Sequence, residues 1–234
     1  IAFRYSDTSR TLLIIALVLT TLYAGAIVNG EQTESELTQL YTESQIKQEY
    51  INPDNVSISV TEHMNTKYQS VTWYDRTITD HNDNTITDTC LSLDTAVQLC
   101  DSWVDSYHNG LVDVPMTMYP ESEHSDMNVL IVGGGDWIPI NYLEDYGVTI
   151  DHVDIDKEFY NYAKDNEKLE QYHDNAYKYE NLTTHSQDVL TYLDQTETDY
   201  DLVLMDAPGS KNTDSIPLYS EELYTALNQN LAED

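Results

Sequence analysis

Hydrophobic positions follow two patterns along this chain, and each predicts a different kind of element. From Asn128 the sequence NVLIVGGGD runs apolar into three glycines and Asp136, and a second apolar run ends in the acidic tetrapeptide Val153 to Asp156. Short continuous apolar runs bounded by turn residues read as fully buried strands. Strands are predicted at Asn128 to Val132, Thr149 to Asp154, Asn181 to His185 and Asp201 to Met205. Helices fill the intervals, among them Lys157 to Asn166 and Ser220 to Leu231, which makes the fold class α/β with a doubly wound sheet. Upstream the pattern changes to alternation in Val56-Ser57-Ile58-Ser59-Val60 and in Val71 to Tyr74, with a turn at His81 to Asn84. Period-two alternation predicts half-buried strands, hence a small antiparallel β domain from about Asn55 to Leu99. A helix from about Asp101 to Val112 links it to the α/β domain, which opens near Met127 after the polar break Glu121 to Asp126.

The amino end is different in kind. Thr11 to Val28 carries no charged residue and is about long enough, at helical rise, to cross roughly 30 Å of hydrocarbon. A transmembrane helix or a removed leader with a cleavage site at Ala24-Gly25-Ala26 is expected. Arg4 and Arg10 precede the run while Glu31, Glu34 and Glu36 follow it. A lone span would therefore anchor the protein in a membrane with the large domain outside the cytoplasm. Four segments are expected: 1–30 with the span, 31–54 as linker or helix, 55–126 as β domain and linking helix, and 127–234 as the α/β domain.

Composition narrows the setting. Lys and Arg total 10 against 42 Asp and Glu, a formal net charge of -32. Self-repulsion of that size is screened only when the Debye length shrinks to about 3 Å in molar salt, which points to a salt-loving source. Nucleic acid is excluded as a partner, since no basic patch exists to neutralise phosphates. With 40% hydrophobic residues and 19 Tyr, the chain can build a core. Cys90 and Cys100 flank the hairpin turn at Asp94 to Ala96. A three-residue loop sets them opposite each other, where a disulfide can form, and a two-residue loop puts them out of register. Reduced apolar fillers are the alternative.

The glycine turn carries candidate chemistry. In a doubly wound sheet the ligand lies at the carboxyl ends of the strands, and glycines there admit the backbone to it. Asp154, closing the second strand, falls where a ribose hydroxyl pair is held. Trp137 and Ile138 follow Asp136, so the last glycine of the dinucleotide fingerprint is missing. That argues against a pyrophosphate cofactor and for a nucleoside without phosphates, such as an S-adenosyl compound.

These motifs resemble the polyamine aminopropyltransferases, the spermidine synthases, in the family's order. They are Tyr68-Gln69, Leu93-Asp94 with Val97-Gln98, Tyr107-His108, Gly133-Gly134-Gly135-Asp136, Val153-Asp154-Ile155-Asp156, Gln187-Asp188, Leu204-Met205-Asp206 and Pro217-Leu218-Tyr219-Ser220-Glu221-Glu222. The resemblance, to a membrane-anchored member of haloarchaeal type, covers about Asn55 to the last residue. It implies a Rossmann-like domain for S-adenosyl compounds that continues past the end of this sequence. It also implies aminopropyl transfer from decarboxylated S-adenosylmethionine to a polyamine, with no permanently bound cofactor, no metal, and a homo-oligomer as one option. By resemblance Asp206 is the catalytic aspartate. Gln69, Gly133, Gly135, Asp136, Asp154 and Asp188 bind the donor, and Tyr107, His108 and Tyr219 border the acceptor.

Three positions depart from the family. Gly209 replaces the second aspartate of D-x-x-D, Trp137 replaces a glycine and would fill part of the donor pocket, and Trp103-Val104 replace acidic residues before Tyr107. Two function classes therefore stand side by side: a transferase, and a membrane-tethered domain that kept the fold and lost the reaction. An S-adenosylmethionine methyltransferase shares the α/β core but needs neither the β domain nor the PLYSEE segment.

Overall fold

The computed structural model describes residues 7–28, 30–48, 50–94, 96–207, 209 and 215–232. Arg4, one of the two basic residues ahead of the apolar run, lies outside the described residues, as do Pro208 and the last two residues. The chain divides into two compact units, one holding Ile1–His63 and Trp73–Thr87, the other Met64–Thr72 and Asp88–Asp234.

The first unit begins with α1 (Asp7–Val28) and α2 (Gly30–Lys47). The apolar run lies in α1, yet among the described residues no helix is long and apolar enough to cross a membrane. The expected transmembrane helix is therefore not found. The polar stretch after it, expected as a helix or linker, is a full helix whose Gln39 side chain acts as a strand partner. Its Nε2 donates to the Ile58 carbonyl at 2.8 Å while its Oε1 accepts from the Val60 amide at 2.7 Å.

Strands β1 (Val56–Asn65), β2 (Ser70–Thr79), β3 (Thr85–Leu93) and β4 (Ala96–Cys100) form a four-stranded sheet in chain order. The β3–β4 hairpin pairs Leu93 with Ala96, so its loop holds two residues, yet Cys90 stands opposite Cys100 and the two form a disulfide. A bulge between Leu91 and Ser92 supplies the extra residue on β4 that restores register.

The linking helix is divided. It runs as α3 (Val104–His108), a π-helical turn (Asn109–Asp113) and α4 (Val114–Met116). After it come β5 (Asn128–Gly133), α5 (Ile138–Glu144), β6 (Thr149–Val153), α6 (Lys157–Asp165), α7 (Glu167–His173), β7 (Leu182–His185), α8 (Val189–Leu193), β8 (Leu202–Asp206) and α9 (Glu221–Gln229). The strands pair in parallel in the order β7-β6-β5-β8. From β5 the chain winds outward through β6 and β7, then returns to lay β8 on the other side, so the topological switch point lies between β5 and β8. Beneath it Leu130, Val132, Val153, Val189, Tyr192, Leu193, Tyr200, Leu223 and Leu227 form a buried core. Asp151 is tied into this layer, accepting from Tyr200 Oη at 2.9 Å and facing His185 Nε2 at 3.0 Å.

Candidate active site

The site grows out of the carboxyl ends of three neighbouring strands. Gly133 pairs in register with Asp206, and the Gly134 amide donates to the Asp206 carbonyl at 2.8 Å. At Gly133 the backbone takes φ +83, and a Cβ there would sit 2.0 Å from that carbonyl oxygen. Only glycine permits β5 and β8 to meet this closely. At Gly135 a Cβ would lie 3.0 Å from Asp154 Oδ2, which explains why the third glycine matters although β6 contributes the acid. Asp136 and Asp154 thus follow the ends of β5 and β6, and Asp206 is the last residue of β8.

Burial sets their electrostatics. The Asp136 carboxyl is pushed up to about 8 by burial and by the neighbouring Asp206, with the Ile138 amide donating to its Oδ1 at 3.0 Å as a partial offset. Asp154 is pushed up to about 6, chiefly by burial, while the Asp156 amide donates to its Oδ1 at 2.7 Å. Burial also raises Asp206, against the hydrogen bond that Tyr107 Oη donates to its Oδ1 at 2.6 Å. Burial and the Asp206 carboxylate together keep the Tyr107 phenol protonated. His108 lies buried one residue on, stacked on Tyr142, with burial lowering its basicity. One ligand-type atom from each of His108, Asp136 and Asp206 falls within 4.8 Å of the other two.

Other expected residues sit elsewhere. Gln69 Nε2 donates to Asp156 Oδ2 at 3.0 Å, so its amide reaches the loop after β6. Asp188 is exposed and caps α8, accepting from the Thr191 amide at 3.0 Å. Tyr219, in a single helical turn before α9, is exposed and within electrostatic reach of Tyr107. Gly209 is exposed, and its carbonyl accepts from Ser215 Oγ at 2.9 Å. Trp137 takes φ +71, a conformation that glycine adopts without strain, and its indole is buried against Tyr160, His152 and Tyr177. Its Nε1 donates to the Tyr160 carbonyl at 3.1 Å.

Two residues that shape the site have no role assigned from sequence, although Asp156 belongs to the Val153 to Asp156 motif. Asp156 is buried and gathers Thr66 Oγ1 at 2.5 Å, Gln69 and the Phe159 amide, capping α6. Its signal was its place two residues beyond Asp154, before a helical pattern. His152, fully buried in β6, donates from Nε2 to the Gly133 carbonyl at 2.6 Å and so holds the glycine turn. Burial lowers it to about 4, which keeps the ring neutral. A histidine inside an apolar strand gives no sequence signal beyond its polarity.

Comparison with known proteins agrees with this architecture. Residues 104–234 match the spermine/spermidine synthase domain. Over 129 residues the chain is 30% identical to polyamine aminopropyltransferase 2 of Aquifex aeolicus (strain VF5), a match covering 55% of this chain and 25% of that protein. Over 145 residues it is 30% identical to the polyamine aminopropyltransferase of Oceanobacillus iheyensis, covering 60% and 27%. The chain thus spans about a quarter of the length of these curated relatives. Among solved structures, spermidine synthase from Thermotoga maritima superposes with a TM-score of 0.57 at 20% identity, over 75% of this chain and 53% of that one. A spermidine synthase in complex with the transition-state analogue AdoDATO gives 0.61 at 19%, over 75% and 55%. At these identities the structural likeness establishes the fold, while the match over residues 104–234, more than half of the sequence, establishes the lineage. The chain belongs to the spermine/spermidine synthase family, the polyamine aminopropyltransferases.

Proposed function

We propose that this chain carries the site of an aminopropyl transfer, from decarboxylated S-adenosylmethionine to a primary amine of a polyamine. The observation that carries the reading is the convergence of Asp136, Asp206 and His108 within 4.8 Å at the switch point of the sheet. Two carboxylates held this close in a buried setting resist ionising together, and Asp136 is raised accordingly. A cationic amine is the ligand that relieves them.

In the reaction the acceptor nitrogen uses its lone pair to attack the methylene next to the donor sulfonium. The new C–N bond forms as the C–S bond breaks, and its electron pair leaves with sulfur as a neutral thioether. The attacking nitrogen must lose a proton, and Asp206 takes it, oriented by the Tyr107 hydroxyl. Asp136 holds the amino group of the donor's aminopropyl arm and Asp154 the ribose hydroxyls. Gly133 and Gly135 let the nucleoside lie against the backbone. Gln69 borders the donor, and Asp188 serves the adenine. Tyr107, His108 and Tyr219 face the acceptor.

The test uses the full-length protein in molar potassium chloride. Asp206→Asn is expected to lower turnover by roughly a hundred- to ten-thousand-fold, as loss of a general base does. Binding of methylthioadenosine, measured by calorimetry, should stay close to wild type. A variant that transfers at the wild-type rate would remove Asp206 from the mechanism. One observation favours a second reading, a fold that kept its nucleoside site and lost transfer: Gly209 stands where the family places another aspartate. A wild-type protein that binds methylthioadenosine yet is inert toward putrescine, agmatine and spermidine would establish that reading instead.

A further inference from the structure

Among the described residues of the second unit, two buried ring nitrogens have no hydrogen-bond partner, His152 Nδ1 behind the glycine turn and His108 Nε2 beside the carboxylates. His108 is 2% exposed, and its Nδ1 donates to the Val104 carbonyl at 2.8 Å, which leaves the lone pair of the neutral ring on Nε2. That Nε2 is buried and without a hydrogen-bond partner. A buried polar atom left without a partner carries an unrecovered desolvation cost. The ring is nevertheless fixed in place, stacked on Tyr142 at 5.5 Å and edge-on to Tyr107 at 5.0 Å. Beside it stand Asp136 and Asp206, both also pre-oriented: Tyr107 Oη holds Asp206 Oδ1 and the Ile138 amide holds Asp136 Oδ1, so each carboxylate keeps its other oxygen. An imidazole and two carboxylates, each held in place by a hydrogen bond of its own, match the way outer hydrogen bonds orient metal ligands.

We propose that His108, Asp136 and Asp206 bind a divalent transition-metal ion of the zinc class, which excludes the cationic amine from the site. The donor set makes the selection. Magnesium and calcium take oxygen ligands, whereas an imidazole among carboxylates suits zinc and cobalt. Metal bonds of about 2.0–2.2 Å require the three ligand atoms, now within 4.8 Å of one another, to draw somewhat closer on binding. Three protein ligands leave an open position for water. Because ion and ammonium seek the same lone pairs, they cannot be bound together. Inhibition rests on the transferase reading, whereas metal binding does not.

The test is a titration of the full-length protein with cobalt(II) in molar potassium chloride, with excess magnesium to saturate surface carboxylates. Visible absorption follows the bound ion, and calorimetry with zinc gives its affinity. One ion per chain is expected, displaced by spermidine. Asp136→Asn and His108→Gln should each weaken it by more than roughly a hundredfold, beyond the loss of an outer-shell partner. Methylthioadenosine, which lacks the aminopropyl arm, reports whether each variant is folded. No specific absorption from a protein that binds methylthioadenosine would overturn the metal site, as would equal affinity in a folded variant. Zinc that binds tightly but is indifferent to spermidine would overturn the exclusion. A protein that binds zinc in this site and no methylthioadenosine would keep the metal site and remove the transferase reading.

Discussion

At the scale of single residues, the site sets stability against function, and Asp154 shows how. Its carboxyl is raised from an ordinary 3.8 to about 6, mainly by burial. A group whose folded value lies above its unfolded one stabilises the fold below the unfolded value, and that contribution is lost as pH rises through the folded value. Above pH 6 the ionised carboxylate is therefore a burden of about 3 kcal/mol, from two units at about 1.4 kcal/mol each. Asp154→Asn is expected to melt higher than wild type at pH 8, with the gap closing as pH falls toward 4, and to bind methylthioadenosine more weakly. Thermal unfolding followed by circular dichroism in molar salt checks this, and identical melting at pH 8 would refute it. The same physics explains which roles were legible. Asp136, Asp154 and Asp206 stood out because each ends an apolar run. Asp188, preceded by polar sequence, also caps α8, a role that any exposed aspartate before a helix can take alongside the adenine role proposed for it.

Elements were readable where pattern alone decides them. Continuous apolar runs located β5, β6 and β8 to within a residue or so at each end, because a buried parallel strand needs nothing else. Where local sequence is silent the reading departed from the structure. The expected helix over 101–112 starts at Val104 and widens into a π turn directly after His108. Such turns accompany functional sites and have no sequence signature. The Cys90–Cys100 pairing was left open because loop length alone gives the wrong answer, and only the bulge on β4 brings the sulfurs together. That cross-link spans ten residues and should contribute about 2–3 kcal/mol by restricting the unfolded chain. Replacing both cysteines with alanine is expected to lower the unfolding free energy by that amount in urea titrations. An unchanged midpoint would show that strand pairing alone holds the hairpin.

For the whole molecule, charge is the dominant quantity. A formal net charge of -32 on 234 residues repels itself at every separation that solvent does not screen. Circular dichroism across a potassium chloride titration is expected to show the native signal only as salt approaches molar concentration, where the Debye length falls to about 3 Å. Full native signal in millimolar salt would contradict this account. The fold class could be read from sequence because glycine turn, strand ends and order of motifs are local. The membrane-spanning expectation rested on one apolar run and finds no support among the described residues. The site also has two separate origins. Its carboxylates sit on the ends of three adjacent strands of one sheet, whereas Tyr107 and His108 are successive residues of one five-residue helix. In evolutionary terms the charged floor is locked, since moving any part disturbs the core, while the short helix depends on fewer contacts, chiefly buried Val104 and His108 and the Tyr107 hydroxyl on Asp206. On the proposed reading, acceptor choice is then rewritten in a few codons around Tyr107 while the carboxylate floor stays as it is.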